Sequence, residues 1–269
     1  MMAAGARIRE RADKVLVSRG LAPSRERAQA LIMAGLVLCG NRTVIKPGEG
    51  LDEGADIVIK GKLPFVSRGG LKLAEALDRF GVTVEDKTAV DVGSSTGGFT
   101  DCLLQRGARR VYAVDVDTKQ LDWRLRGDPR VVIIEKNARY LEAEDIPEAF
   151  DLVTIDVSFI SILKIMPALK EIPGSWLLLA LVKPQFEAGR AEVGKKGIVR
   201  DPAVHESVLR RIAAGARESG FGLRGVLRCS TRGQKGNVEF FGFWAKGGGD
   251  GTADSAAGWI KEAVSHENR

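Results

Sequence analysis

Two lysines and two carboxylates, Lys72, Asp156, Lys183 and Glu239, are the side chains of this 269-residue chain best suited to chemistry. Asp156 ends the apolar run Asp151-Leu-Val-Thr-Ile-Asp156, and Lys183 follows the apolar run Trp176–Val182. Both runs read as buried strands of a parallel sheet. An open parallel sheet binds ligands beyond the carboxyl ends of its strands. Opposite charges at two neighbouring strand ends can be a plain ion pair. Joined by Lys72, from Ser67-Arg-Gly-Gly-Leu-Lys-Leu73, and by Glu239, from a late hairpin, they can instead form a tetrad for proton handling and charge stabilisation. Alone, Lys72 reads as a solvated helix lysine, and spacing does not show that the four meet.

A second constellation belongs to the same sheet edge. In Asp91-Val-Gly-Ser-Ser-Thr-Gly-Gly-Phe99 a strand enters a glycine-rich turn, and Phe99-Thr-Asp-Cys-Leu-Leu opens a helix that Gly107 can cap. Such a turn lets backbone approach a ligand closely, which makes Asp91, Gly93, Ser94, Ser95, Thr96, Gly97, Gly98 and Phe99 candidates for holding one. Asp115, at the end of the next strand, could accept hydrogen bonds from two ribose hydroxyls or merely cap a helix. Asn137, after the third strand, could address an adenine edge or sit in an ordinary turn. Asp156 belongs to both constellations. The turn is neither G-x-G-x-x-G nor a Walker loop with its lysine, which argues against a nicotinamide enzyme and a nucleoside triphosphatase.

The elements that must position these groups are legible as a strand–helix rhythm from about residue 88. Strands are expected at 88–92, 110–115, 131–134, 151–156 and 176–182, and helices at 99–106, 118–124, 160–169 and 203–219. The stretches 223–229 and 237–245 flank Thr231-Arg-Gly-Gln-Lys-Gly-Asn237 and predict an antiparallel hairpin at the sheet edge. The pattern is that of an α/β, Rossmann-like doubly wound sheet. Residues 247–258 read as a loose linker and 259–264 as a short terminal helix. Before the sheet, Ile8–Arg19 reads as a helix stopped by Gly20, and a second helix starts after Pro23 with Ser24 as N-cap and ends at Gly35. Ala28, Leu31 and Ile32 would pack on Leu16. Short strands at 36–38, 43–45 and 56–59 complete a small α+β module ending near Lys60-Gly-Lys62.

The chain is 44% hydrophobic and 28% charged, with net charge +6 and a pI near 9.3. Residues 1–62 carry eleven Lys or Arg against seven Asp or Glu, so most of the net charge sits in under a quarter of the chain. A polyanionic partner fits that asymmetry. Cys39, Cys102 and Cys229 are isolated in apolar surroundings and read as buried thiols, and His205 and His266 are too few for a zinc cluster, so no metal site is expected. A reducing cytoplasm is the expected compartment. No apolar segment follows the opening Met-Met-Ala-Ala-Gly-Ala-Arg, and Trp176–Val182 is too short to cross a bilayer as a helix, so neither a secretory signal nor a membrane span is expected.

Taken together, Ser67-Arg-Gly-Gly-Leu-Lys-Leu, Asp91-Val-Gly-Ser-Ser-Thr-Gly-Gly-Phe-Thr, Val157-Ser-Phe-Ile-Ser161, Leu181-Val-Lys-Pro-Gln-Phe-Glu187 and Gly236-Asn-Val-Glu239 resemble the TlyA-type hemolysin/ribosomal RNA methyltransferases. The resemblance runs from Arg7 to about Ala245. It implies an S4 RNA-binding domain with its linker at 1–62, an FtsJ-like methyltransferase domain at 63–246 and a C-terminal extension at 247–269. The implied activity is S-adenosyl-L-methionine-dependent 2′-O-methylation of cytidines in ribosomal RNA of the small or large subunit, or both. The family's Lys-Asp-Lys-Glu tetrad falls on Lys72, Asp156, Lys183 and Glu239. Lys183, held between carboxylates, is read as a cation that orients the 2′-oxygen and stabilises developing alkoxide, with the proton lost in concert or relayed. Asp156 would hold Lys183 and favour the sulfonium, Glu239 would brace the network, and Lys72 would place the nucleotide or its phosphate.

Arg9-Glu-Arg-Ala-Asp13 and Ser24-Arg-Glu-Arg27 match the RNA-facing helices of an S4 domain, so Arg7, Arg9, Arg11, Lys14, Arg19, Arg25 and Arg27 are the expected RNA-binding cations. With few aromatics beside them, phosphate and shape reading of folded RNA is expected. Ribosomal RNA and ribosomal subunits are the implied partners, with no membrane and no obligate protein partner. Two other classes are weighed against this reading. One is a non-catalytic RNA-binding or ribosome-associated factor, and the other is the membrane-active hemolysin of the family name. The latter finds no long amphipathic helix with a broad apolar face.

Overall fold

The computed structural model describes residues 9–52, 54–61, 63–233, 236–247 and 253–265. The chain divides into two compact units, Met1–Arg68 and Gly69–Arg269.

In the first unit, β1 (Arg9–Arg11) leads into α1 (Ala12–Ser18), and α2 (Arg25–Met33) follows. The Ser24 hydroxyl accepts the Arg27 amide at 3.2 Å, which fixes where α2 begins. Strands β2 (Val37–Cys39), β3 (Arg42–Thr43), β4 (Gly50–Asp52) and β5 (Ile57–Ile59) complete it. β1 pairs with β4, and a separate sheet runs β3-β2-β5, all antiparallel. The expected apolar set is the core: Leu16, Ala28 and Ile32 are wholly buried together with Val37 and Leu51.

The second unit opens with α3 (Arg68–Phe80), followed by β6 (Thr88–Val92), α4 (Gly98–Gln105), β7 (Arg110–Asp115), α5 (Trp123–Arg126) and β8 (Val131–Glu135). Then come β9 (Leu152–Ile155), α6 (Met166–Glu171), β10 (Leu177–Val182), α7 (Pro184–Glu187), α8 (Pro202–Glu218), β11 (Phe221–Arg228), β12 (Phe240–Lys246) and α9 (Ala253–Ser265). Seven strands form one sheet in the order β11-β12-β10-β9-β6-β7-β8. β8, β7, β6, β9 and β10 are mutually parallel, and β12 is inserted antiparallel between β10 and β11. The order reverses between β6 and β9, so a crevice opens beyond their carboxyl ends, at the topological switch point. Every residue of β6 and β9 is buried, as a strand covered on both faces requires. This is the doubly wound sheet the sequence predicts, with the late hairpin at its edge.

Several local expectations are corrected. Arg9–Arg11 is a strand, not the first turn of a helix, and Ile8 lies outside the described residues. All three residues are exposed, so a helix here would have no apolar face to bury, while the edge of β4 offers hydrogen-bond partners and Asp52 pairs with Arg9 at 3.3 Å. The strand expected at 43–45 is only Arg42–Thr43. The helix expected at 118–124 is a 3-10 turn, Thr118–Gln120, and then the four-residue α5, because the Asp117 and Asp122 carboxylates each cap a new start. The helix expected at 160–169 splits into Ile162–Lys164 and α6, with Pro167 in the first turn of α6. α9 begins inside the stretch expected as linker. Its Ile260 and Ala263 are buried, so packing outweighs a glycine- and serine-rich composition.

Candidate active site

The glycine turn after β6 is shaped by the strands on either side. Gly93 takes φ +81°, and a Cβ there would stand 2.7 Å from the Asp156 carbonyl oxygen, so only glycine lets the turn lie against the end of β9. Gly97 takes φ +93° as the N-cap of α4, with the Leu121 and Leu125 side chains filling the space a Cβ would need. The Gly93 and Ser94 amides both donate to the Val114 carbonyl, at 2.8 and 3.2 Å. Ser95, non-glycine at φ +48°, donates its amide to Asp115 Oδ2 at 2.9 Å. Backbone strain of this kind concentrates at ligand sites.

The candidate ligand-holding residues divide in two. Ser95, Thr96 and Asn137 are exposed at the crevice, and Asp115 is half-buried there. Val116, 65% exposed beside Asp115, adds an apolar surface that the sequence did not single out. Asp91 and Phe99 lie beneath. Asp91 is wholly buried, accepting from Thr100 Oγ1 at 2.6 Å and Thr154 Oγ1 at 3.0 Å, and Phe99 stacks on Phe241. Burial pushes the Asp91 carboxyl up to about 7, against the lowering pull of the two threonines. It braces the turn and α4 from below. Asn137 Oδ1 accepts the Arg139 amide at 3.1 Å as a helix cap, which leaves its amide nitrogen for other use.

The tetrad is two ion pairs. Lys183, the N-cap of α7, brings Nζ to 2.5 Å from Asp156 Oδ1 and donates to Ser158 Oγ at 3.1 Å. Lys72, on α3, donates to Glu239 Oε2 at 2.5 Å, with both side chains buried. Gln185, two residues after Lys183, joins the pairs by donating Nε2 to Glu239 Oε1 at 3.3 Å. Asp156 Oδ1 is neutralised by the Lys183 ammonium, and Gln185 Oε1 is buried without a hydrogen-bond donor. Gly233 leaves room for Glu239, since a Cβ there would collide with Oε1.

Ser158, Gln185 and Glu187 lie in segments the sequence quoted without assigning them roles. Glu187 is 8% exposed and accepts the Ile162 amide at 2.9 Å, tying α7 to the loop after β9, and burial pushes its carboxyl up. Its type gave the only signal, an acid two residues past the turn of Lys183-Pro184-Gln185. Cys229 donates its backbone amide to the Glu239 carbonyl, and burial pushes its thiol well above the ordinary range, which disfavours the thiolate. Burial likewise pushes Cys102 up to about 12. No group of metal-ligating side chains occurs among the described residues.

The cations expected to read RNA are, among the described residues, each engaged within the first unit. Arg7 lies outside the described residues. Arg9 pairs with Asp52, and Lys14 with Glu10 at 3.6 Å. Arg19 donates to the Ala55 carbonyl at 2.6 Å, and Arg27 to those of Phe65 and Val66 at 3.3 and 2.8 Å. Arg11 and Arg25 both donate to the buried Asp13, at 2.9 and 3.1 Å, while their own side chains stay about half exposed, at 47% and 50%. So Arg9 and Arg11 are carried by a strand, and Lys14, Arg25 and Arg27 by helices.

The glycine cradle at the switch point, the acid at the end of β7 and the Asp156 carboxylate suit a sulfonium-bearing nucleoside. The family comparisons agree. Residues 65–246 match the FtsJ-like methyltransferase model and residues 10–57 the S4 domain. YqxC of Bacillus subtilis strain 168, which carries an rRNA methyltransferase designation, is 51% identical over 86% of this chain and 84% of its own. The 16S/23S rRNA (cytidine-2′-O)-methyltransferase TlyA of Mycobacterium tuberculosis strain H37Rv is 43% identical over 87% and 88%. A solved structure from Streptococcus thermophilus with a hemolysin name superposes with a TM-score of 0.74 at 43% identity, covering 96% of both chains. The chain is therefore an S-adenosyl-L-methionine-dependent methyltransferase, a member of the TlyA family in which an S4 domain precedes an FtsJ-like catalytic domain.

Proposed function

We propose that this protein methylates the 2′-hydroxyl of cytidine ribose in ribosomal RNA, of the 16S or 23S molecule or both, working on ribosomal subunits in the cytoplasm. The observation that carries this reading is the convergence of Lys183–Asp156 and Lys72–Glu239, joined through Gln185, beside the glycine cradle. The TlyA relative that shares this chain's organisation carries that activity in its name.

S-adenosyl-L-methionine supplies an electrophilic methyl group on a sulfonium. The chain's own residues manage the other partner, a poor nucleophile that must be aligned and relieved of its proton. Lys183 is fixed by Asp156 and Ser158, so its remaining N–H can point at the 2′-oxygen and stabilise charge as it develops there. Asp156 places negative charge where the donor's positive charge must come. Lys72 and Glu239 keep the far side of the network rigid and offer Lys72 to a phosphate or hydroxyl of the nucleotide. A base paired within folded RNA cannot reach such a centre, so the target nucleotide must be turned out. Phe159, 89% exposed and in tilted contact with Phe186 at 4.9 Å, presents an aromatic face for that base three residues past Asp156. In the first unit, Arg11 and Arg25, set by Asp13, are the proposed phosphate-reading pair.

The test is transfer of labelled methyl from S-adenosyl-L-methionine to separated small and large ribosomal subunits, with 2′-O-methyl sites mapped and Lys183→Ala as control. Label at cytidine ribose that falls by about 100-fold or more in the control is expected. Label on bases, or none on subunits, stripped RNA or whole ribosomes, would overturn the proposal.

A further inference from the structure

Between α7 and α8 the chain makes a turn that the catalytic reading leaves unused. Gly194 and Ile198 form an antiparallel bridge, and the Gly197 amide closes the turn on the Gly194 carbonyl at 3.0 Å. Lys195 and Lys196 stand at its tip, with Arg190 on the incoming side and Arg200 on the outgoing one, and all four are exposed. None of them makes an ion pair among the described residues. The two neighbouring acids are occupied by backbone, since Glu192 accepts the Gly189 amide at 2.7 Å and Asp201 the Ala203 amide at 2.9 Å.

Two features separate this turn from an ordinary solvated loop. Lys196 sits at φ +74°, in the left-handed region that a glycine would occupy without strain. Among the described residues three other non-glycines share positive φ, and two of these, Ser95 and Phe159, belong to the catalytic crevice. The turn is also anchored from within. Asn237, 3% exposed, accepts the Val199 amide on Oδ1 at 3.0 Å and donates Nδ2 to the Gly197 carbonyl at 2.9 Å. Buried His205, on α8, meets the Val199 carbonyl at 3.2 Å. Asn237 stands two residues before Glu239, and the segment begins directly after α7, whose N-cap is Lys183. Both ends of the turn are thus tied to chain segments that carry tetrad members.

We propose that this hairpin, through Lys195, Lys196 and Arg200 with Arg190 beside them, is a phosphate clamp that grips the ribosomal RNA backbone next to the methylated nucleotide. Residues 189–200 contain no aromatic side chain, so the segment can read charge but cannot stack on bases. Asn237 keeps the cations at a set distance from Lys183 and Glu239, so that phosphate capture and ribose alignment are coupled by the backbone. The inference rests on the ribosomal RNA substrate proposed above.

The experiment measures binding of full-length wild type, Lys195→Ala/Lys196→Ala and Lys196→Gly to ribosomal subunits and to protein-free ribosomal RNA over a range of salt, alongside methyl transfer by the wild type. Each lysine that neutralises a phosphate contributes about one to the slope of log affinity against log salt. The double variant should bind about tenfold more weakly at low salt, with a slope shallower by about 2. Over a fourfold rise in salt that slope difference is worth about 12-fold, so the low-salt disadvantage should all but vanish. Lys196→Gly should lose about one unit of slope without lowering the thermal midpoint, because glycine relieves the backbone. A merely structural lysine would give the stability change without the slope change. Unchanged affinity and slope in either variant would overturn the clamp, as would a change seen on subunits and absent on stripped RNA, which would assign the contact to ribosomal protein. Wild type that binds with the clamp signature yet never methylates ribose would reject the proposed function while leaving the clamp standing.

Discussion

Lys72 and Glu239 lie 167 residues apart in the chain, yet their charges meet at 2.5 Å with less than a tenth of either residue exposed. Neither ion is inexpensive to bury, and each is tolerated because the other is there. Lys72→Ala would leave the Glu239 carboxylate buried and uncompensated, at a cost of about 3–5 kcal/mol in unfolding free energy. Adding Glu239→Gln should recover most of that loss, because the amide can keep the Gln185 contact without a charge. Methyl transfer should not recover. Urea unfolding of the two variants beside activity separates these outcomes, and equal stability of Lys72→Ala and wild type would contradict the pairing.

What could be read from the sequence follows the physics of each element. β9 and β10 were legible because a strand buried on both faces is a continuous apolar run, and Asp156 and Lys183 announce themselves as the charges that end those runs. The glycine turn was legible from composition. What no local pattern carries is the partner across space. Lys72 reads as a surface lysine until α3 and the segment before β12 are brought together. Thr154 was a weaker sign that could have been used, a hydroxyl inside Leu-Val-Thr-Ile that needs a buried partner and finds Asp91. Arg9–Arg11 misled because three charged residues have no periodicity. α7 was hidden because four residues cannot establish one.

Asp91 makes stability fall as pH rises. Its carboxyl is held near 7 in the folded protein by burial, against an ordinary value near 4, so between those limits the folded state holds a proton that the unfolded chain has lost. The unfolding free energy contributed by this group therefore declines from about pH 4 to about pH 7, by up to about 1.4 kcal/mol per pH unit, and is level above. Asp91→Asn stays neutral throughout and can still bond to Thr100 and Thr154. It should flatten that decline, measured by denaturant titrations across the range. A variant whose pH profile parallels wild type would show that Asp91 is ionised throughout.

Asp13 acts in the opposite sense. Burial alone would raise its carboxyl, but hydrogen bonds from Arg11, Gln29 and Arg25 together hold it well below the usual range. A depressed folded value means the stabilisation is present above about pH 4 and is lost as pH falls below it. Protection factors of the α1 and α2 amides, which normalise exchange to its intrinsic rate at each pH, should fall on acidification from about pH 5 to lower values. Asp13→Asn should show that reduced protection already at neutral pH. The same substitution frees Arg11 and Arg25 from their shared anchor, so ribosomal RNA affinity should drop although no cation has been removed. Retained affinity would mean the two arginines do not act as a preset pair.

Phe159 separates function from stability. Among the described residues it is the most exposed large apolar side chain, and it holds φ +66°, a conformation that disfavours any residue with a Cβ. Phe159→Gly relaxes the backbone and removes an apolar surface from water, so its thermal midpoint should equal or exceed that of wild type. If the ring receives the turned-out base, the same variant should lose about 5- to 150-fold in methyl transfer to ribosomal subunits, the range expected when one stacking surface is removed. Phe159→Trp should keep most of the activity, since a larger aromatic face still offers stacking. A glycine variant as active as wild type would assign the exposed ring no part in catalysis and leave its strained backbone unexplained.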